Sequence, residues 1–182
     1  PNGKYLAIGG NISGIPSNDL IVYSFDSSAS FINVLTEITS VNPSGGGNDI
    51  VNSVNWSPDG KYLAVGGQIS NNDLIVYSFD PSAPFANILT EVASVDPGGS
   101  SNSIFSVNWS PDGKYLAIGG QISGTPSDDL IVYSFDPSAS SFTRLTQIAS
   151  ANPGTCISVN WSPDGTFIAI GRISSSLNIN NL

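Results

Sequence analysis

At 182 residues the chain is long enough to bury a core of its own, since folded domains cluster at roughly 100 to 150 residues. Hydrophobic residues make up 40% of it, charged residues only 10%, and 19 glycines and 12 prolines punctuate it, the profile of an all-β protein rather than a disordered segment. The net charge is −9 and the five basic residues, Lys4, Lys61, Lys114, Arg144 and Arg172, are dispersed, which excludes nucleic acid and anionic membrane surfaces as partners.

The chain opens inside a repeat. Pro1-Asn2-Gly3-Lys4 is the same element as Pro58 to Lys61, Pro111 to Lys114 and Pro163 to Thr166, at intervals of 57, 53 and 52 residues. A fixed period of this size decides the architecture before any single residue does. The octapeptide DLIVYSFD follows three times, at Asp19 to Asp26, Asp73 to Asp80 and Asp129 to Asp136. SVNWSPDGKYLA runs from Ser53 to Ala64 and again from Ser106 to Ala117, and its first eight letters return at Ser158 to Gly165.

Four strands, here a to d, are predicted in each unit from β-branched and aromatic content and from turn residues. In the second unit strand a is Ser53 to Ser57, with Val54 and Trp56 on one face and Ser53, Asn55 and Ser57 on the other. Pro58-Asp59-Gly60 turns the chain, proline presetting φ and glycine accepting a positive one; Asp112-Gly113 and Asp164-Gly165 repeat the device. Strand b is Lys61 to Gly67, ended by two glycines, and strand c is Leu74 to Phe79, apolar enough to be covered on both faces. After the turn at Asp80-Pro81-Ser82, strand d lies around Asn87 to Ser94. No segment has helical spacing of apolar residues, so helix content is expected to be negligible.

The copies divide the chain into a partial blade b-c-d with its following loop (1–52), two full blades (53–105 and 106–157) and a partial blade a-b with a degenerate tail (158–182). A four-stranded sheet that is apolar on both faces must be stacked between others like itself, and radial stacking of such sheets is a β-propeller. Trp56-Ser57-Pro58-Asp59-Gly60-Lys61 and its counterparts at Trp109 to Lys114 and Trp161 to Gly165, followed by Leu-Ile-Val-Tyr, resemble the WD-repeat and TolB-like propellers. The family's Gly-His pair has no counterpart here, and Phe79-Asp80 is the nearest match to its Trp-Asp. The resemblance implies a non-catalytic protein-interaction scaffold with a protein partner.

About three and a quarter blades are too few, because propellers close with four to eight. The absent methionine and the start inside a turn favour a segment of a longer propeller; the alternative is that chains complete one another's blades into a ring or filament by strand complementation. From Ile173 to Leu182 the repeat decays, with Leu177 and Ile179 left as a degenerate strand c. No apolar run approaches the roughly 20 residues of a membrane span and no leader opens the chain, so a soluble protein without membrane insertion is expected.

Candidate chemistry is sparse. With no histidine, a Ser-His-Asp or Cys-His arrangement is excluded within this sequence, and one cysteine offers no transition-metal set. Neither a metal, a cofactor nor an enzyme activity is expected; a carboxylate-based propeller hydrolase or lyase is the remaining enzymatic alternative. Asp128-Asp129 and the loop Asp96 to Gly99 lack the ligand spacing of a calcium loop. Ser44-Gly45-Gly46-Gly47 lacks the lysine or helix of a phosphate cradle and reads as a loop. Cys156 reads as a small hydrophobe at a strand start. Asn55, Asn108 and Asn160 match the glycosylation pattern but lie within strand a, which leaves Asn11 as the plausible acceptor.

Asp59, Asp112 and Asp164 are read as turn residues. The b-to-c and d-to-a loops vary most in length between copies, and in propellers resembling this one they share a face. That acidic face, through Asp19, Asp49, Asp73, Asp96, Asp128 and Asp129, is the candidate binding surface.

Overall fold

The computed structural model describes residues 3–11, 18–43, 49–70, 72–99, 102–123 and 128–173. The Ser44 to Gly47 cluster and the degenerate strand at Leu177 and Ile179 lie outside the described residues.

Among the described residues thirteen strands form four antiparallel sheets. The first holds β1 (Tyr5–Gly9), β2 (Leu20–Phe25) and β3 (Leu35–Val41). The second holds β4 (Ile50–Trp56), β5 (Tyr62–Gln68), β6 (Leu74–Phe79) and β7 (Leu89–Val95). The third repeats it with β8 (Ser103–Trp109), β9 (Tyr115–Gln121), β10 (Leu130–Phe135) and β11 (Leu145–Ala151). The last pairs β12 (Cys156–Trp161) with β13 (Ile168–Arg172). Each sheet is a meander in chain order, as the repeat of turn signals requires. The chain is an all-β propeller array, and its only helical elements among the described residues are two three-residue 3-10 turns, Phe31–Asn33 and Phe85–Asn87.

Two strand boundaries differ from the sequence reading. Strand a starts three residues early, at Ile50, because a bulge between Val51 and Ser53 interrupts the alternation that marks it; Ile104/Ser106 and Cys156/Ser158 carry the same bulge. Strand d starts at Leu89 because Phe85–Asn87 is used in the 3-10 turn.

The core sits between the sheets. Leu20 and Val22 of the first sheet pack with Leu63, Val65 and Ile75 of the second. Ala64 and Leu74 face the other way, onto Ile104, Leu116 and Ile118 of the third, and Val132 of the third packs against Val159 of the last. The two-residue alternation of a strand covered on both faces produces this division. Phe79 stacks edge-on between Tyr5 of the preceding blade and Trp56 of its own, at centroid distances of 4.9 and 4.8 Å. Phe135 repeats the contact with Tyr62 and Trp109.

The inner strands are also zipped polar group to polar group. The Val107 amide donates to Ser53 Oγ at 3.1 Å, and the Trp109 amide and indole N–H donate to Asn55 Oδ1 and its carbonyl oxygen, both at 3.1 Å. The same three bonds join Val159 and Trp161 to Ser106 and Asn108. The polar face of strand a therefore belongs to the neighbouring blade, and Asn55 and Asn108 are half-buried there while Asn160 is exposed.

Candidate functional site

The Pro-Asp-Gly turns lie on one face of the array. Ser57 Oγ donates to Asp59 Oδ1 at 2.6 Å and accepts from the Tyr62 amide at 2.9 Å, while Gly60 has φ +71°. Ser110-Asp112-Gly113 and Ser162-Asp164-Gly165 have the same geometry. Asp164 is held down at about 2 by the Ser162 hydroxyl, with the Thr166 amide and hydroxyl adding to it. An acid so satisfied by its own turn is a structural acceptor.

The opposite face carries the six predicted binding carboxylates, and four of them turn inward. Asp19, Asp49, Asp73 and Asp129 are buried, Asp128 is half-buried and Asp96 is exposed. Asp73 Oδ1 accepts the Ile69 amide at 3.0 Å and Asp129 Oδ1 accepts the Ile122 amide at 2.9 Å, so each clamps its own b-to-c loop. Asp49 Oδ1 accepts the amide and hydroxyl of Ser70, tying the d-to-a loop onto the next b-to-c loop. Asn102 does the same to Ser123 one blade on.

One of these clamps differs electrostatically from its repeats. Burial pushes the Asp73 carboxyl up to about 6, against the Ile69 amide that stabilises its anion, and the charge of Asp96 pushes it further in the same direction. Asp96 stands where the other copies have Asn42 and Asn152, so only the second blade brings two acids together here. Asp96 Oδ1 is itself anchored on the Gly99 amide at 2.8 Å, and Asn102 donates to the Gly99 carbonyl. The result is one buried acid, Asp73, whose proton is held more tightly by burial and by the charge of the exposed Asp96 on the same polar face. Both residues were candidates from the sequence, but the signal that links them, the Asn-to-Asp exchange between copies at position 96, was not used.

The copies also differ at the bulged end of each inner strand. Asn52, Phe105 and Ile157 occupy one repeat position, and Asn52 Nδ2 donates to Ser103 Oγ at 3.0 Å and to the Ile104 carbonyl at 2.9 Å. Cys156, in the position of Val51 and Ile104, is buried, and burial raises its thiol pKa. It fills space between blades, as a small hydrophobe does. Asn11 is exposed, but residues 12 and 13 of its glycosylation pattern lie outside the described residues.

Antiparallel four-stranded sheets stacked face to face and zipped along their inner strands define the chain as part of a β-propeller. The sequence model described as lactonase, 7-bladed beta-propeller, matches residues 16–161, and the chain belongs to that family. Its fold is similar to that of a protein described as a 6-phosphogluconolactonase from Bacteroides uniformis, at 16% identity with a TM-score of 0.68, covering 94% of this chain and 45% of that one. A Lactobacillus plantarum protein aligns at 18% identity and TM-score 0.64, over 86% of this chain and 42% of its own. A chain of the mitotic checkpoint complex aligns at 22% identity and TM-score 0.60, over 94% of this chain and 45% of its own. At these identities the likenesses show the fold, and the chain spans less than half the length of each of these structures. No curated protein matches the sequence.

Membership in a lactonase family overturns two expectations, that the chain is a non-catalytic interaction scaffold and that it is not an enzyme. The first rested on the resemblance to WD-like propellers and the second on the missing histidine. A carboxylate lifted toward neutrality can exchange a proton in its place, and the composition of the chain does not reveal which carboxylate is lifted. Among the described residues no helix is long and apolar enough to cross a membrane.

Proposed function

We propose that the chain forms blades of a propeller that hydrolyses lactones, with Asp73, under the charge of Asp96, exchanging the proton. The family match over residues 16–161 carries this reading. Asp73 supports it, because a base working near neutral pH needs a pKa near its operating pH and its carboxyl is pushed up to about 6. Water attacks the lactone carbonyl as the ionised Asp73 carboxylate accepts its proton. The ring C–O bond then breaks, and the departing ring oxygen takes that proton back, giving a hydroxy acid. The amide groups of loop 96–99 and the Asn102 side chain supply polar surroundings on the same face.

The test is hydrolysis of glucono-δ-lactone followed by acid release, corrected for the spontaneous rate. Asp96→Asn and Asp73→Asn should each lower kcat at least tenfold. Asn at position 73 retains an oxygen for the Ile69 amide, so the loop clamp survives. Full activity in both variants would remove the pair from the reaction, and no turnover by the wild type would remove the reading. WD-like use of the same face for a protein partner rests on the turn and strand motifs alone, and no contact favours it over the lactonase reading.

A further inference from the structure

Three exchanges between the copies fall at one place, the junction of the second and third blades along their outer strands. The corresponding junction of the first and second blades is closed. There the Phe85–Asn87 turn lies against β3, Thr39 Oγ1 donates to the Phe85 carbonyl at 3.0 Å, and Asn18 Nδ2 donates to Ser40 Oγ at 2.8 Å. One blade on, both hydrogen bonds are missing among the described residues. Counted back from Leu89 and Leu145, Ser141 stands where Phe85 does, and Ala93 stands where Thr39 does, with no hydroxyl to donate. Asn72 and Ser94 are the equivalents of Asn18 and Ser40, yet neither side chain has a hydrogen-bond partner among the described residues. The third exchange is Arg144, in the position of Val34 and Ile88.

A cleft of about 470 Å³ results along β7, lined by Asn72, Glu91, Ala93, Ser94, Ser141 and Phe142. Its volume falls within the roughly 300–1,000 Å³ of small-molecule sites. The lining combines an amide, two hydroxyls and a carboxylate with one phenyl ring, that of Phe142, which is 96% exposed. Hydroxyl groups on adjacent carbons of a sugar ring each donate and accept, so they can satisfy the carboxylate, the amide and the serines together while the C–H face of the ring covers the phenyl. An anionic ligand would meet the Glu91 carboxylate with no opposing charge in the lining. The Arg144 guanidinium donates through Nη1 to the Val92 carbonyl at 2.8 Å and does not line the cleft.

We propose that this cleft binds a neutral saccharide, with one pyranose ring seated on Phe142 and its hydroxyls bonded to Glu91, Asn72 and Ser94. The exchange of Phe for Ser141 opens the site, and the loss of the Asn–Ser bond frees two polar groups for the ligand. Neither Asp73 nor Asp96 takes part, so saccharide binding and the proton exchange assigned to Asp73 are separate functions of the same blade.

The test is titration of the full 182-residue chain with the methyl glycosides of glucose, galactose and mannose, and with tetramethylammonium as a cationic probe, followed by amide chemical shifts in NMR. The expected result is saturable shifts at residues 91–94 and 141–142 with at least one glycoside, and a dissociation constant raised at least tenfold in Phe142→Ala and in Ser141→Phe. Both positions are exposed, and Ser141→Phe restores the residue that the other two copies carry, so the variants keep the fold. No saturable shift with any of the three glycosides, shifts confined to other residues, binding indifferent to both substitutions, or saturation by tetramethylammonium alone would overturn the proposal. The readout is binding, so it is decided independently of whether the chain hydrolyses lactones.

Discussion

Asp73 shows how one exchange between near-identical copies changes the chemistry of a repeated side chain. Its carboxyl is buried like those of Asp19 and Asp129, but the neighbouring charge of Asp96 adds to burial in lifting it to about 6. Folded protein therefore holds this proton more tightly than the unfolded chain does. The stability it confers is complete below the ordinary carboxylate value of 3.8 and is lost as pH rises through about 6. In Asp73→Asn the unfolding midpoint in urea should lose this decline, and Asp96→Asn should shift it to lower pH. Asp164 has the opposite sign. Its pKa of about 2 gives stability that is present above 3.8 and lost as pH falls toward 2, a loss that Asp164→Asn should remove. The roles of Asp59, Asp112 and Asp164 were legible in the sequence because a Pro-Asp-Gly turn is satisfied within five residues. The inward turn of Asp19, Asp49, Asp73 and Asp129 was not, since the amides they hold belong to loops whose path depends on the folded sheets.

Strands were legible wherever the alternation of side chains is unbroken. Leu74 to Phe79 was expected as strand c and forms β6 with those bounds. Strand a was read short because the bulge at Val51/Ser53 puts two residues opposite one and shifts the period. The turn after it depends on a buried hydroxyl. Ser57→Ala leaves the Tyr62 amide and Asp59 without their shared partner, and a loss of about 1–3 kcal/mol is expected in equilibrium unfolding. Glycine at the end of strand b has a packing reason rather than a turn reason. A Cβ on Gly66 would come within 2.6 Å of both Ile104 Cγ2 and Val107 Cγ1, so Gly66→Ala should separate the second and third blades at a cost of about 1–3 kcal/mol.

At the scale of the molecule, blade stacking rests on two layers of contact, apolar clusters between sheets and the serine–asparagine–tryptophan zipper along the inner strands. The sequence announced the first through its apolar strands. The second was hidden because Ser53 and Asn55 alternate with Val54 and Trp56 as a solvent-facing polar row would. Only the neighbouring blade gives them donors. Asn108→Ala should therefore cost about 1–3 kcal/mol by leaving the Trp161 amide unpaired, with the loss read in urea unfolding. Function was the least legible level. Motif similarity pointed to a scaffold and the lack of histidine argued against chemistry, whereas the family match reaches across most of the chain and the acid pair arises from one substituted loop position.

The most direct test is the pH dependence of lactone hydrolysis by the wild type and Asp96→Asn. The account predicts a rate that rises through an apparent pKa near 6 in the wild type and a midpoint moved to lower pH, with lower kcat, in the variant. A wild-type rate no greater than the spontaneous one, or identical profiles for the two proteins, would contradict it.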